Sequence, residues 1–123
     1  MRYFSAFILS LLFISCYNPE RNCEDFRTGT FEFEAYLEGD LVKTTFIRND
    51  SIEIEIYKDK RDTASVRWIN DCEYILKSLK PKNLAQEKPI HMKIISTSNN
   101  SYTFEYKIVG KNTKQKGRVV KVD

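Results

Sequence analysis

Apolar and polar residues alternate one by one along most of the chain after residue 28. Residues 31–34 read Phe-Glu-Phe-Glu, and residues 52–56 read Ile-Glu-Ile-Glu-Ile. Successive side chains of a β-strand point to opposite faces, so a period of two predicts half-buried strands. We find no helical period in this part of the sequence, and we therefore expect an all-β domain over residues 28–123.

Turn-forming residues divide this region into about eight runs. Gly39-Asp40, Asn49-Asp50-Ser51 and the small polar stretch 96–101 each separate two neighbouring runs. Most connections are short enough for hairpins, which favours a single antiparallel meander. Closure into a small barrel would remove the exposed strand edges of such a short chain, and a sandwich is the alternative. The longest connection, Lys80 to Pro89, contains two prolines.

The first fifteen residues have the composition of an export signal. Arg2 precedes an apolar stretch of eleven residues, Phe4 to Ile14, which is shorter than the ~20 residues of a membrane-spanning helix but suits a signal peptide. The segment Leu12-Phe13-Ile14-Ser15-Cys16 resembles a bacterial lipobox, in which the cysteine is lipidated and becomes the new amino terminus. Phenylalanine stands where leucine is commonest, so ordinary secretory cleavage is the alternative.

The lipobox resemblance implies an order of segments and a location. Residues 1–15 would be a lipoprotein signal peptide, and residues 16–27 a lipidated N-terminus and polar tether. Cys16 would attach the protein to a membrane of the cell envelope, with the outer membrane expected and the domain facing the periplasm or the cell surface.

Lipidation of Cys16 would also explain an odd number of cysteines. The chain has three cysteines, and in an oxidising compartment Cys23 and Cys72 would remain to pair. The resulting disulfide would close a loop of about 50 residues and contribute ~4 kcal/mol in the chain-entropy model. Neither cysteine belongs to a C-x-x-C pair, so a structural role is favoured over a redox role.

The charged residues give little indication of a nucleic-acid partner. The formal net charge is +3, with lysines and carboxylates interspersed. The lysine-rich segment Lys107 to Lys121 is expected to be a solvated edge hairpin, with surface or phosphate binding as a lesser alternative.

The residues that could support catalysis are few. His91 is the only histidine, and it is predicted to lie on the outer face of its strand. We find no spacing typical of metal ligands and no phosphate-binding glycine loop, so we predict no catalytic residue, metal or cofactor. The carboxylate pairs Glu32/Glu34 and Glu53/Glu55 are expected on solvent-facing sides, in preference to a glycosidase-type pair or a cation site.

The inward-facing positions are rich in aromatic residues, which are expected to form the core or to line a ligand cavity. They are Phe31, Phe33, Trp68, Tyr74, Phe104 and Tyr106. We expect a monomeric, non-enzymatic envelope protein. Side chains are expected to fill most of its barrel, and the remaining space would bind a small hydrophobic ligand. The alternative is a module that binds another envelope protein through the Lys80 to Pro89 loop or an edge strand.

Two segments resemble those of a known group of proteins. Cys23 to Phe31 and Val66 to Leu76, with Arg48-Asn49-Asp50-Ser51 between them, are similar to small lipocalin-like lipoproteins of unknown function from Bacteroidota. The resemblance implies a lipocalin-like barrel. Gly29-Thr30-Phe31 is also similar to the Gly-x-Trp start of lipocalin barrels, whose aromatic residue packs beneath an arginine of a late strand, and this implies Arg118 as its partner.

Two tripeptides resemble the acceptor for periplasmic O-glycosylation in Bacteroidota. They are Asp50-Ser51-Ile52 and Asp62-Thr63-Ala64, and both are predicted to lie in turns. The resemblance implies Ser51 and Thr63 as modification sites.

Overall fold

A computed structural model describes residues 21–37 and 39–123, with the backbone alone for residues 35–37. A short 3-10 helix, Cys23–Phe26, is followed by eight β-strands: β1 Gly29–Leu37, β2 Asp40–Arg48, β3 Ile52–Tyr57, β4 Lys60–Asn70, β5 Glu73–Ser78, β6 Ile90–Thr97, β7 Ser101–Ile108 and β8 Gln115–Lys121. Each strand pairs antiparallel with the next, and β8 pairs with β1. The predicted all-β meander of about eight strands forming a closed barrel is confirmed. The predicted signal peptide and Cys16 lie outside the described residues.

The barrel is closed by pairing between the beginning of β1 and the end of β8. β1 and β8 share three residue pairs, of which Phe31 with Lys121 is the first. Beyond this pair, the Thr30 amide donates to the Asp123 carbonyl at 3.0 Å, and the Val122 amide donates to the Thr30 carbonyl at 2.8 Å. We call this end, where β1 begins, the closed end of the barrel. The opposite end, where the β1–β2, β3–β4, β5–β6 and β7–β8 connections lie, is called the mouth.

The 3-10 helix covers the closed end. Cys23 and Phe26 are buried in the core, and Cys23 forms a disulfide with Cys72, which confirms the predicted pair. The Phe26 ring packs edge-on against Tyr102, with 5.3 Å between ring centroids. The tether predicted for residues 16–27 is therefore too long, because burial of Phe26 makes residues from Cys23 onward part of the folded domain.

The six aromatic residues predicted to face inward all lie in or against the core. Three of them are buried, and the other three are half-buried and packed against the core cluster. The buried residues are Phe31, Tyr74 and Phe104; the half-buried residues are Phe33, Trp68 and Tyr106.

The orientation of β3 is opposite to the predicted one. Glu53 is buried and pairs with Arg48 of β2, and Glu55 is opposite Phe46 in the same register. Since side chains alternate along a strand, Ile54 and its neighbouring isoleucines face outward. The prediction that the Glu53/Glu55 pair faces solvent on the outside of the sheet is wrong, because Arg48 gives Glu53 a buried partner.

Candidate ligand-binding cavity

The mouth half of the barrel contains a cavity of about 210 Å³, which we call the mouth cavity. Its walls are mainly aromatic and aliphatic. It is lined by Phe33, Thr44, Phe46, Glu53, Glu55, Tyr74, Leu76, Ile90, Met92, Tyr102, Phe104, Tyr106 and Val119. The expectation of a nearly full barrel is therefore wrong for this half of the molecule.

A second cavity of about 270 Å³ lies beside the first, beneath the β5–β6 loop. The two cavities share Glu53, Glu55, Leu76 and Ile90 in their walls, so they adjoin at the mouth. The loop contributes Ala85, Gln86 and Lys88 to the second cavity. The predicted longest connection thus lies over the entrance to the barrel.

Arg48, the last residue of β2, lies beneath the cavity and contacts residues of its wall. Its side chain is 1% exposed, and its guanidinium group donates hydrogen bonds to acceptors from four parts of the chain. These acceptors are the Glu53 carboxylate at 3.0 Å, the Tyr74 hydroxyl at 2.7 Å, the Tyr102 hydroxyl at 3.2 Å, the Phe26 carbonyl at 2.7 Å and the Arg27 carbonyl at 3.3 Å. The arginine therefore joins the 3-10 helix to β2, β3, β5 and β7.

Aromatic rings surround the same guanidinium group. Its central carbon lies 4.6 Å from the ring centroid of Phe31 and 4.9 Å from that of Tyr74, within the range of cation–π attraction. Phe31 thus packs against an arginine. The partner is Arg48, however, and the expectation of Arg118 is wrong: Arg118 is exposed and donates to the Ser101 hydroxyl at 3.1 Å.

The buried charges influence each other's protonation. Burial alone would lower the pKa of Arg48, but Tyr74, Tyr102 and Glu53 more than offset this effect, so its pKa is raised and it is a cation at every physiological pH. Burial raises the pKa of Glu53, and the attraction of Arg48 offsets part of that rise. Burial also raises the pKa of both tyrosine hydroxyls, so they stay neutral beside the guanidinium.

Glu55 lies closer to the mouth than Glu53 and is exposed to solvent. The surrounding walls still cover part of its carboxylate, and this partial burial, together with the negative charge of Asp62, raises the pKa of Glu55. Asp62 is the residue opposite Glu55 on β4. Two carboxylates, those of Glu55 and Asp62, are therefore neighbours on the mouth side of the cavity.

The predicted aromatic residues fall into two groups. Four line the mouth cavity, namely Phe33, Tyr74, Phe104 and Tyr106. Phe31 and Trp68 lie towards the closed end, where the Trp68 ring is 5.0 Å from the Arg27 guanidinium. Trp68 Nε1 is buried without a hydrogen-bond partner in the part of the chain that the structure describes.

Sequence reasoning did not recognise Arg48 as a site residue. The sequence pattern places Arg48 at the end of a predicted strand, directly before the Asn49-Asp50-Ser51 break, where charged residues are usually solvated. One feature of the sequence does indicate that Arg48 has a partner. Arg48 lies five residues before Glu53 across a tight turn, and residues in these positions pair in a hairpin.

The remaining predicted positions lie outside the cavity or at its edge. His91 is half-buried on the outer wall, with Nε2 3.9 Å from Glu73. Ser51 is exposed in the β2–β3 turn, as predicted. Thr63 is instead half-buried within β4, because that strand begins at Lys60.

Comparison with protein families, with curated proteins and with solved structures finds no match to this chain. Among residues 21–37 and 39–123, no helix has the length and hydropathy required to cross a bilayer. The same residues contain no group of three or more histidine, cysteine, aspartate or glutamate side chains arranged to hold a metal ion.

Proposed function

We propose that this chain is a non-enzymatic protein of the cell envelope that binds one small, largely apolar ligand in its mouth cavity. The observation that supports this proposal best is the cavity of about 210 Å³ inside the closed barrel, with mostly apolar walls. Pockets for drug-sized ligands measure ~300–1,000 Å³. The mouth cavity by itself suits a smaller molecule, and the adjoining cavity of about 270 Å³ gives further room.

The proposal includes lipid attachment at Cys16 and membership of the lipocalin-like lipoproteins that the sequence resembles. Cys23 is the seventh residue after Cys16, and a fully extended segment of this length reaches about 25 Å. Cys23 lies at the closed end of the barrel. A monomer anchored in this way to the outer membrane would have its closed end towards the lipid and its mouth towards the aqueous phase, so its ligand would arrive from solution.

A matched pair of variants tests ligand binding. Thr44 lines the mouth cavity, whereas Thr45 is the next residue of β2 and faces the other side of the sheet. Thr44→Trp would fill the cavity, and Thr45→Trp would add the same side chain outside the barrel. Titration calorimetry with 2-phenylethanol, a small neutral probe, should show saturable binding to the natural protein and to Thr45→Trp, with at least a tenfold weaker association for Thr44→Trp.

Circular dichroism and thermal unfolding would establish that both variants are folded before binding is compared. Failure of the natural protein to bind the probe, together with a mass spectrum of the protein from its native membrane without any co-purified small molecule, would contradict the proposal. Equal binding by the two tryptophan variants would place the probe outside the cavity and contradict it as well.

A second candidate function is binding to another envelope protein through the β5–β6 loop. Leu84 of this loop is 77% exposed, and Leu79 at its start is 52% exposed. Exposed apolar surface marks sites at which other proteins bind, and these two leucines give the loop such a surface. Capture of one defined partner from solubilised membranes, abolished by Leu84→Ser and retained by Thr44→Trp, would favour this function over ligand binding.

A further inference from the structure

We propose that the ligand of the mouth cavity carries a protonated amine beside an apolar body, and that Glu55 binds the ammonium group. This inference rests on the proposed ligand-binding function and adds the chemical class of the ligand.

Every charged side chain that lines the mouth cavity, among the described residues, is a carboxylate. These side chains are Glu53 and Glu55. The Arg48 guanidinium beneath them already donates to five groups and does not line the cavity. An anionic ligand would therefore meet like charge without an available cation, whereas a cationic ligand would meet opposite charge.

Glu55 differs from Glu32 and Glu105 of the outer wall in having no cation beside it. Glu32 lies 3.1 Å from Lys43, and Glu105 lies 3.3 Å from Lys114. No lysine, arginine or histidine nitrogen of the described residues lies within 4.0 Å of the Glu55 carboxylate. Its neighbour across the sheet, Asp62, is engaged by Lys82 at 3.3 Å. Glu55 thus retains an unpaired negative charge at the entrance to an apolar cavity.

The aromatic rings of the cavity wall favour an organic cation over a metal ion. Phe46 is the residue opposite Glu55 on β2, and Tyr106 lines the same cavity. Aromatic faces attract ammonium groups and also cover the carbon skeleton that carries them. A calcium ion, in contrast, takes six to eight oxygen ligands, and the described wall supplies two carboxylates, one threonine hydroxyl and the tyrosine hydroxyls.

The size of the cavity limits the ligand. A volume of about 210 Å³ corresponds to roughly seven water molecules at ~30 Å³ each. A single aromatic ring or a short aliphatic chain bearing one amine fits this volume. A longer ligand would extend into the adjoining cavity, where Lys88 would repel a second cationic group.

Three probes with the same phenyl body and different head groups test the inference by titration calorimetry at neutral pH. They are 2-phenylethylammonium, 2-phenylethanol and phenylacetate. We expect the ammonium probe to bind at least tenfold more tightly than the alcohol, and phenylacetate to bind most weakly. Glu55→Gln should bring the affinities for the ammonium probe and the alcohol together while leaving the affinity for the alcohol unchanged.

Glu34→Gln is the matched control, because Glu34 is an exposed glutamate on β1 beside the inward-facing Phe33. It should keep the full preference for the ammonium probe. Binding of the alcohol as tightly as the ammonium probe, or an unchanged preference in Glu55→Gln, would overturn the inference and leave ligand binding intact. Absence of binding by all three probes would overturn both the inference and the proposed function.

Discussion

Replacement of Arg48 by methionine is the perturbation that most directly tests how the closed end is stabilised. The substitution keeps a long side chain but removes the donors to the Glu53 carboxylate, the Phe26 carbonyl and the hydroxyls of Tyr74 and Tyr102. Removal of one partner from a buried ion pair costs ~3–5 kcal/mol, because the other charge is left uncompensated. A loss of about 3 kcal/mol is a large part of the ~5–15 kcal/mol by which a small domain is stable. Because each kcal/mol lowers the melting temperature of such a domain by at least about 4 °C, we expect a melting temperature lower by at least about 12 °C.

The destabilisation should depend on pH, because Glu53 becomes an unpaired buried carboxylate. Burial already raises its pKa above the ordinary value of 4.5, and loss of Arg48 would raise it further. A group whose pKa is higher in the folded state takes up a proton on folding, so its stabilising contribution is present at low pH and is lost as the pH rises through the folded-state pKa. The free energy of unfolding of Arg48→Met should therefore be higher at mildly acidic pH than at neutral pH.

Urea unfolding followed by the fluorescence of Trp68 measures the loss of stability in Arg48→Met and its dependence on pH. The double variant Arg48→Met/Glu53→Gln is the control, because it has no buried carboxylate and should lose the added pH dependence while regaining part of the stability. A loss of less than about 1 kcal/mol in Arg48→Met, below the value for a single unsatisfied buried group, would refute the reasoning. An identical pH dependence in the single and double variants would refute the role assigned to Glu53.

Three further substitutions have defined outcomes in the same urea assay. Replacing Cys23 and Cys72 together by serine should lower the free energy of unfolding by ~4 kcal/mol, and an unchanged value would mean that the disulfide adds nothing. Gly117→Val should cost ~1–3 kcal/mol through overpacking, because a Cβ atom at Gly117 would lie 2.6 Å from the Phe104 ring; a neutral effect would show that the ring moves freely into the cavity. Tyr74→Phe should cost ~1.5–3 kcal/mol, the value of a hydrogen bond to a charged group, and a stabilising effect would contradict the 2.7 Å contact with Arg48.

The strand pattern could be predicted from the sequence because it depends on local chemistry, and the disulfide could be predicted because the chain has few cysteines. Phe31 and Phe33 alternate with glutamates on β1, and turn-forming residues separate the runs, so the number of strands and the meander follow from periods and turn chemistry. Lipidation of Cys16 would leave Cys23 and Cys72 as the remaining thiols, so their pairing followed from counting. These features require no knowledge of which residues meet across the barrel.

The candidate site could not be predicted to the same extent, because it depends on which face of each strand is turned inward. A run of Ile-Glu-Ile-Glu-Ile defines two faces on β3, and hydrophobicity alone assigns the isoleucines to the interior. The register with β2 decides otherwise, because it places Glu53 opposite Arg48, and the pair is stabilised inside by hydrogen bonds from several strands. The same register places the carboxylates of Glu53 and Glu55, instead of isoleucine side chains, in the wall of the cavity.

Alternation, turn residues and the number of cysteines were enough to predict antiparallel strands, their approximate positions and the Cys23–Cys72 pair. The complete fold was needed to place Arg48 at the centre of the closed end, to turn Glu53 and Glu55 inward and to leave the mouth half hollow. Alternation is a property of each strand, whereas burial of Arg48 also requires acceptors from the 3-10 helix, β5 and β7, which are distant from it in the chain.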